Sequence, residues 1–168
     1  YTGGLVAAHA NGRHRQALWD AFERREVYGT SGPRILLWFD LLNAPGPDGM
    51  ATLVPMGGAV EMAMAPRFRV RALGAFEQRP GCPDEARRGL TAERLARLCK
   101  GECYHPSETR HAIETIEVVR IRPQRDAAEP IASLIDDPWK VLSCPSDAAG
   151  CDVTFEDTDF QNAGRDAV

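Results

Sequence analysis

Arg67-Phe68-Arg69-Val70-Arg71-Ala72-Leu73-Gly74-Ala75-Phe76 alternates with a period of two. Phe68, Val70 and Ala72 fall on one side, and Arg67, Arg69 and Arg71 on the other. Successive side chains of a strand point to opposite faces, so this stretch predicts a strand with one dry and one wet face. Ile113 to Arg122 is rich in β-branched residues and predicts a second strand. Arg34 to Leu42 predicts a third, with Ile35, Leu37, Phe39 and Leu41 on one face and Leu36 and Trp38 on the other. A strand apolar on both faces belongs inside a sheet or between two layers. A fourth strand is expected near 151–156. The expected fold class is mainly β, an antiparallel sandwich-like domain.

The segments around these strands fill in the organisation. Asn43 to Gly49 is a Pro/Gly-rich loop, and Met50 to Met64 suggests one or two short strands broken by Pro55 and Gly57-Gly58. Residues 79–111 read as an insertion that carries one helix, from a Thr91 N-cap to Cys99. Ser107 reads as a further helix start, flanked by His105 and His111 on the surface. Residues 131–142 suggest a helical turn and a loop around Asp137-Pro138-Trp139. Before Pro33 the rhythm differs. Residues 3–10 read as a short buried strand, and 13–26 as a helix with Ala17, Leu18, Ala21 and Phe22 on one stripe. Val27 and Tyr28 then extend into the turn Gly29 to Pro33. Strand, helix and strand make a short α/β remnant at the N-terminus. The expected division is 1–32 and 33–168, with both Tyr1 and Val168 cut from something longer.

Length and composition restrict the class of protein. The chain has 168 residues, 43% of them hydrophobic and 26% charged, which excludes a disordered or fibrous chain. Its densest apolar run, Ile35 to Phe39, is far shorter than the roughly 18 residues of a membrane span. The 20 basic residues include only two lysines, Lys100 and Lys140. Residues 1–125 hold 18 basic and 14 acidic side chains, whereas 126–168 hold 2 and 10. Such an asymmetry suits two mutually attracting faces of one domain. A calcium site in Asp152 to Asp159 lacks the spaced loop pattern of an EF-hand. No basic cluster interleaved with aromatics points to nucleic acid.

Candidate chemistry is sparse. The sequence has no G-x-S-x-G elbow, no phosphate loop and no H-E-x-x-H. Ser31, in the turn Thr30-Ser31-Gly32-Pro33, has the look of an exposed nucleophile, but turn chemistry accounts for the same residues. His9 and His14 share no helix face; His9 reads as a core histidine, with metal ligation the competing role. The five cysteines have C-x3-C and C-x6-C spacings, which do not suit zinc knuckles. Cys144 and Cys151 bracket a turn-rich loop that brings them to disulfide distance. A second bridge is expected between Cys82 and Cys99, with Cys103, four residues beyond Cys99, pointing outward. Disulfides imply an oxidising compartment; buried thiols in a reducing one are the competing reading.

The run Arg15 to Ile35, with Leu18-Trp19-Asp20-Ala21-Phe22 and Val27-Tyr28-Gly29-Thr30-Ser31-Gly32-Pro33-Arg34-Ile35, resembles a bacterial family of domain-of-unknown-function proteins. That family is placed in the PHP (polymerase and histidinol phosphatase) superfamily of metal-dependent hydrolases. Pro55-Met56-Gly57-Gly58, Gly74 to Gln78, Cys99 to Tyr104, Ile116 to Ile121 and Asp137-Pro138-Trp139 are similar to the family in the same order. The resemblance implies an exported, periplasmic or secreted protein whose distorted (β/α) barrel holds divalent metals upstream of this region. Residues 1–32 would then be the last barrel strand and helix, and Thr30, Ser31, Gly32 and Pro33 the exit turn. No catalytic residue and no cofactor carries over to this chain.

Two functions are therefore expected to compete. In one, the chain is a non-catalytic part of a metal-dependent hydrolase and packs against the remainder of its own polypeptide. In the other, it is an autonomous module for a cell-envelope partner or carbohydrate, with Trp38, Tyr104 and Trp139 as a stacking surface. An exposed apolar patch at Leu18, Trp19 and Phe22 would favour the first, and two of the three aromatics exposed on one concave face the second.

Overall fold

The computed structural model describes residues 3–100, 103–145 and 149–168. Strands β1 (Leu5–Ala8) and β2 (Val27–Thr30) flank helix α1 (Arg15–Glu23). They pair antiparallel, so this unit is a hairpin around a helix rather than a parallel crossover. Helix α1 starts at His14, whose Nδ1 accepts from the Ala17 amide at 3.3 Å. It ends in a Schellman reversal: the Arg25 amide donates to the Phe22 carbonyl and the Glu26 amide to that of Ala21, with Arg25 left-handed at φ 58°.

Strands β3 (Leu36–Pro45), β4 (Ala51–Pro55) and β5 (Arg67–Leu73) follow. Next come β6 (Phe76–Gln78), α2 (Asp84–Arg88), α3 (Ala92–Cys99) and β7 (Pro106–Arg110). The chain continues through β8 (Thr115–Ile121), β9 (Ile135–Ser143), β10 (Gly150–Glu156) and α4 (Phe160–Ala163). A four-stranded sheet of order β10-β5-β3-β4 forms the centre, and β6-β7 and β8-β9 are separate two-stranded ribbons. The architecture is mostly antiparallel β.

Register explains the core. Phe155, Phe68 and Leu41 lie in one row, Val153, Val70 and Phe39 in the next, and Cys151, Ala72 and Leu37 in a third. These rows form the dry face, where Phe39 and Phe68 stack with centroids 5.4 Å apart and Trp139 of β9 meets Phe155 edge-on at 5.7 Å. The opposite face carries Arg69 paired with Asp152, and Arg71 3.4 Å from Asp40 and 5.3 Å over the Trp38 ring. Arg120 of β8 joins the ribbon to the sheet: its Nη1 donates to both carboxylate oxygens of Asp157, at 3.0 and 3.1 Å. The acidic residues 126–168 thus meet part of the basic remainder through Arg69–Asp152 and Arg120–Asp157.

Two glycines set close approaches. A Cβ at Gly74 would overlap the His111 carbonyl, so glycine fits the junction between β5 and β6. Gly57 has φ 88° in the turn closed by Gly58 donating to the Pro55 carbonyl, and a Cβ there would overlap the Arg24 and Arg25 carbonyls. That contact seats the end of α1 on the β3-β4 hairpin.

Several expectations require correction. Residues 106–110 form a strand and not a helix start, because pairing with β6 and Arg110 packing 3.6 Å over the Phe76 ring override the cap chemistry of Ser107. Residues 135–143 form a strand and not a loop. Pro138 falls where the β8-β9 register shifts, so its missing N–H breaks no ladder bond. The insertion holds two helices, α2 and α3, rather than one. Cys82 bonds to Cys103 and not to Cys99: the left-handed Lys100 cap (φ 48°) ends α3, and Cys103 lies with its Cα 5.0 Å from that of Cys82. Leu5 and Val6, expected to be buried, are 47% and 67% exposed, since β1 pairs with β2 alone among the described residues.

Among the described residues, three carboxyls titrate low. Hydrogen bonding by the Arg69 guanidinium lowers Asp152, that of Arg165 lowers Glu129, and that of Arg24 lowers Glu26. A lowered native pKa adds stability above the unfolded-state value and loses it as pH falls through the native value. Thermal unfolding should therefore show stability falling as pH drops below the ordinary carboxylate range near 4. Asp152→Asn should flatten that dependence only slightly, because the pair is exposed.

Candidate functional site

The turn after β2 borders a cleft. Gly32, Pro33 and Arg34 face Phe76, Tyr104 and His111 around a cavity of about 320 Å³. Tyr28 braces the turn by donating its hydroxyl to the Ile35 carbonyl at 3.0 Å, and the Ile35 amide donates to the Pro33 carbonyl at 3.0 Å. Ser31 is exposed, whereas the Thr30 hydroxyl is buried without a hydrogen-bond partner among the described residues. The Arg34 guanidinium lies 4.2 Å over the Tyr104 ring. This wall combines aromatic faces with a cation and can hold planar or anionic groups.

His9 is committed to the fold. Its Nε2 donates to the Leu37 carbonyl at 2.8 Å, and its ring lies 5.6 Å from Tyr28 and 5.7 Å from Trp38. These contacts hold the ring in one orientation between two aromatics. Trp38 and Trp139 are half-buried, and Trp139 lies beneath the Arg120 guanidinium at 4.3 Å. Tyr104 is 48% exposed. The three aromatics do not form one open surface.

The cysteines fall into two places. Cys144 and Cys151 are bonded with Cα atoms 5.4 Å apart, at the start of β10. Residues 146–148 of the intervening loop lie outside the described residues. Closing so short a loop contributes about 2.5 kcal/mol on the chain-entropy account. Cys82, Cys99 and Cys103 cluster with all three sulfurs within 4.8 Å of one another. Among the described residues, this is the one group of three His, Cys, Asp or Glu side chains close enough to share an ion. Its compactness was not visible in spacing alone, since Cys82 is brought in by the turn before α2.

Helix α1 exposes a group of large apolar residues. Its buried residues are small, Ala17 at 6% and Ala21 at 0% exposure, while Leu18, Trp19 and Phe22 are 39%, 59% and 51% exposed. At 100° per residue those three span one sector, and Leu5 and Val6 of β1 are exposed as well. A helix in contact with water alone would place the large apolar residues inward and the alanines outward.

The molecule so defined is a mostly antiparallel β chain with an N-terminal strand-helix-strand unit that presents an apolar face. A family model described as "Protein of unknown function (DUF3604)" matches residues 1–79. The match includes Arg15 to Ile35, Pro55 to Gly58 and Gly74 to Gln78, and stops short of the later blocks. No curated protein and no solved structure matches the chain. Among the described residues, no helix is long and apolar enough to cross a membrane.

Proposed function

We propose that the chain is a non-catalytic part of an exported bacterial metal-dependent hydrolase of the PHP class. Residues 1–32 close its barrel, residues 33–168 form a β-rich domain, and divalent metals and hydrolytic chemistry belong to the rest of the polypeptide. The observation that carries this reading is the inverted helix α1, which hides Ala17 and Ala21 and exposes Leu18, Trp19 and Phe22. Apolar surface grouped in this way is a docking face. Two disulfides are compatible with an oxidising location. The half-burial of Trp38 and Trp139 weighs against a stacking surface for carbohydrate.

The test expresses this chain together with the polypeptide that precedes Tyr1 in its gene, as two separate chains. They should co-purify, and the complex should hold divalent metal and hydrolyse a chromogenic phosphoester. Trp19→Asp with Phe22→Asp should abolish association while leaving the unfolding temperature of the isolated chain nearly unchanged. Metal-dependent hydrolysis by this chain alone, or undiminished association of the double variant, would overturn the reading.

A further inference from the structure

Outside the cleft and the apolar face, the cysteine cluster at the end of α3 sets a thiol beside a disulfide. Cys99 is a free thiol, partly accessible, and its sulfur lies within 4.8 Å of both sulfurs of the Cys82–Cys103 disulfide. A thiol beside a disulfide is a reactant beside its substrate, because disulfides isomerise by thiolate attack on one sulfur with departure of the other. Cys82 also lines a cavity of about 520 Å³ with Arg87, Leu90 and Leu95. Neither Cys99 nor Cys103 lines that cavity.

We infer that Cys82, Cys99 and Cys103 form a thiol–disulfide exchange centre that releases a reactive Cys82 thiol into this cavity. The Cys99 thiolate attacks the Cys103 sulfur and its electron pair forms the new Cys99–Cys103 bond. The pair of the old Cys82–Cys103 bond leaves on Cys82. The proton lost from Cys99 returns from solvent to Cys82, so one disulfide and one thiol exist before and after, and no oxidant is consumed. The released thiolate then attacks a low-molecular-weight disulfide, forming a mixed disulfide on Cys82 and expelling one thiolate. The cavity selects the ligand: Leu90 and Leu95 supply apolar contact, and the Arg87 guanidinium favours a disulfide that bears a carboxylate.

The full chain is incubated with oxidised glutathione, quenched in acid, alkylated with N-ethylmaleimide and mapped as non-reduced peptides. The expected result is glutathione on Cys82 together with a Cys99–Cys103 bridge. Cys99→Ser, which removes no existing bond, should lose the Cys82 adduct completely and retain a single Cys82–Cys103 bridge. Adduct confined to Cys99, or label on Cys99 alone with no adduct, would overturn the proposal. So would protein that contains one zinc ion and no bridge among these cysteines, since the three thiolates would then form a closed metal site.

Discussion

Arg120→Ala is expected to destabilise the chain by about 3–5 kcal/mol, the cost of leaving a buried charge without its partner. Arg120 and Asp157 are 8% and 4% exposed, and the guanidinium also donates through Nε to Asp136 at 3.0 Å. Removing it strands Asp157, whose amide donates to the Pro66 carbonyl at 3.0 Å just before β5 begins. Urea unfolding measures the loss. Arg120→Met combined with Asp157→Leu should recover most of it, because an apolar pair leaves no uncompensated charge. A single-variant cost below about 1 kcal/mol would mean that water reaches Asp157 and that the ribbon is held to the sheet mainly by Trp139 on Phe155.

Gly57→Ala is expected to cost about 2–4 kcal/mol, from a left-handed conformation imposed on alanine and from overlap with the backbone at the end of α1. The obstruction is the Arg24 and Arg25 carbonyls, part of a hydrogen-bonded reversal, and not a side chain that can rotate away. The damage should therefore include displacement of α1, read as faster amide exchange in Ala17 to Glu23 than in β5. A wild-type denaturation midpoint in this variant would show that the turn and the helix separate at little cost.

The strands with a simple period were legible. Arg67 to Leu73 shows its two faces because one is covered and the other is wet, and Leu36 to Leu41, apolar on both, lies inside the sheet. Partner-dependent elements were not. Pro106 to Arg110 has no strand pattern of its own and is extended because Phe76 and Gln78 lie beside it. Ile135 to Ser143 carries a turn-like Asp137-Pro138 that the bulge absorbs. The Arg120 pair did leave a trace: Ile116, Val118 and Arg120 share one alternating face, so an arginine on the inward register signals a buried anion. The stripe of Ala17, Leu18, Ala21 and Phe22 does not stay together: the alanines are buried and the two large residues exposed, because which edge of the stripe packs depends on what Ala17 and Ala21 touch. The cysteine pairing depended on a chain reversal at Lys100 that spacing does not encode.

The order of strands in the central sheet also governs when that sheet can exist. Strand β5 lies between β3 and β10, and the Arg69–Asp152 pair across its outer edge joins residues 83 positions apart. During synthesis, β3, β4 and β5 emerge together and can assemble at once, while the far edge of β5 waits for β10. The segment that carries Cys82, Cys99 and Cys103 and both ribbons emerge in that interval. Until β10 arrives, Phe68 lacks the Phe155 ring that lies 5.3 Å from it, and a row of backbone donors and acceptors stands open. Long-range closure of this kind makes folding slow. The half-made sheet is the state most exposed to pairing with another chain, and early capture of that edge would decide between the native molecule and an aggregate.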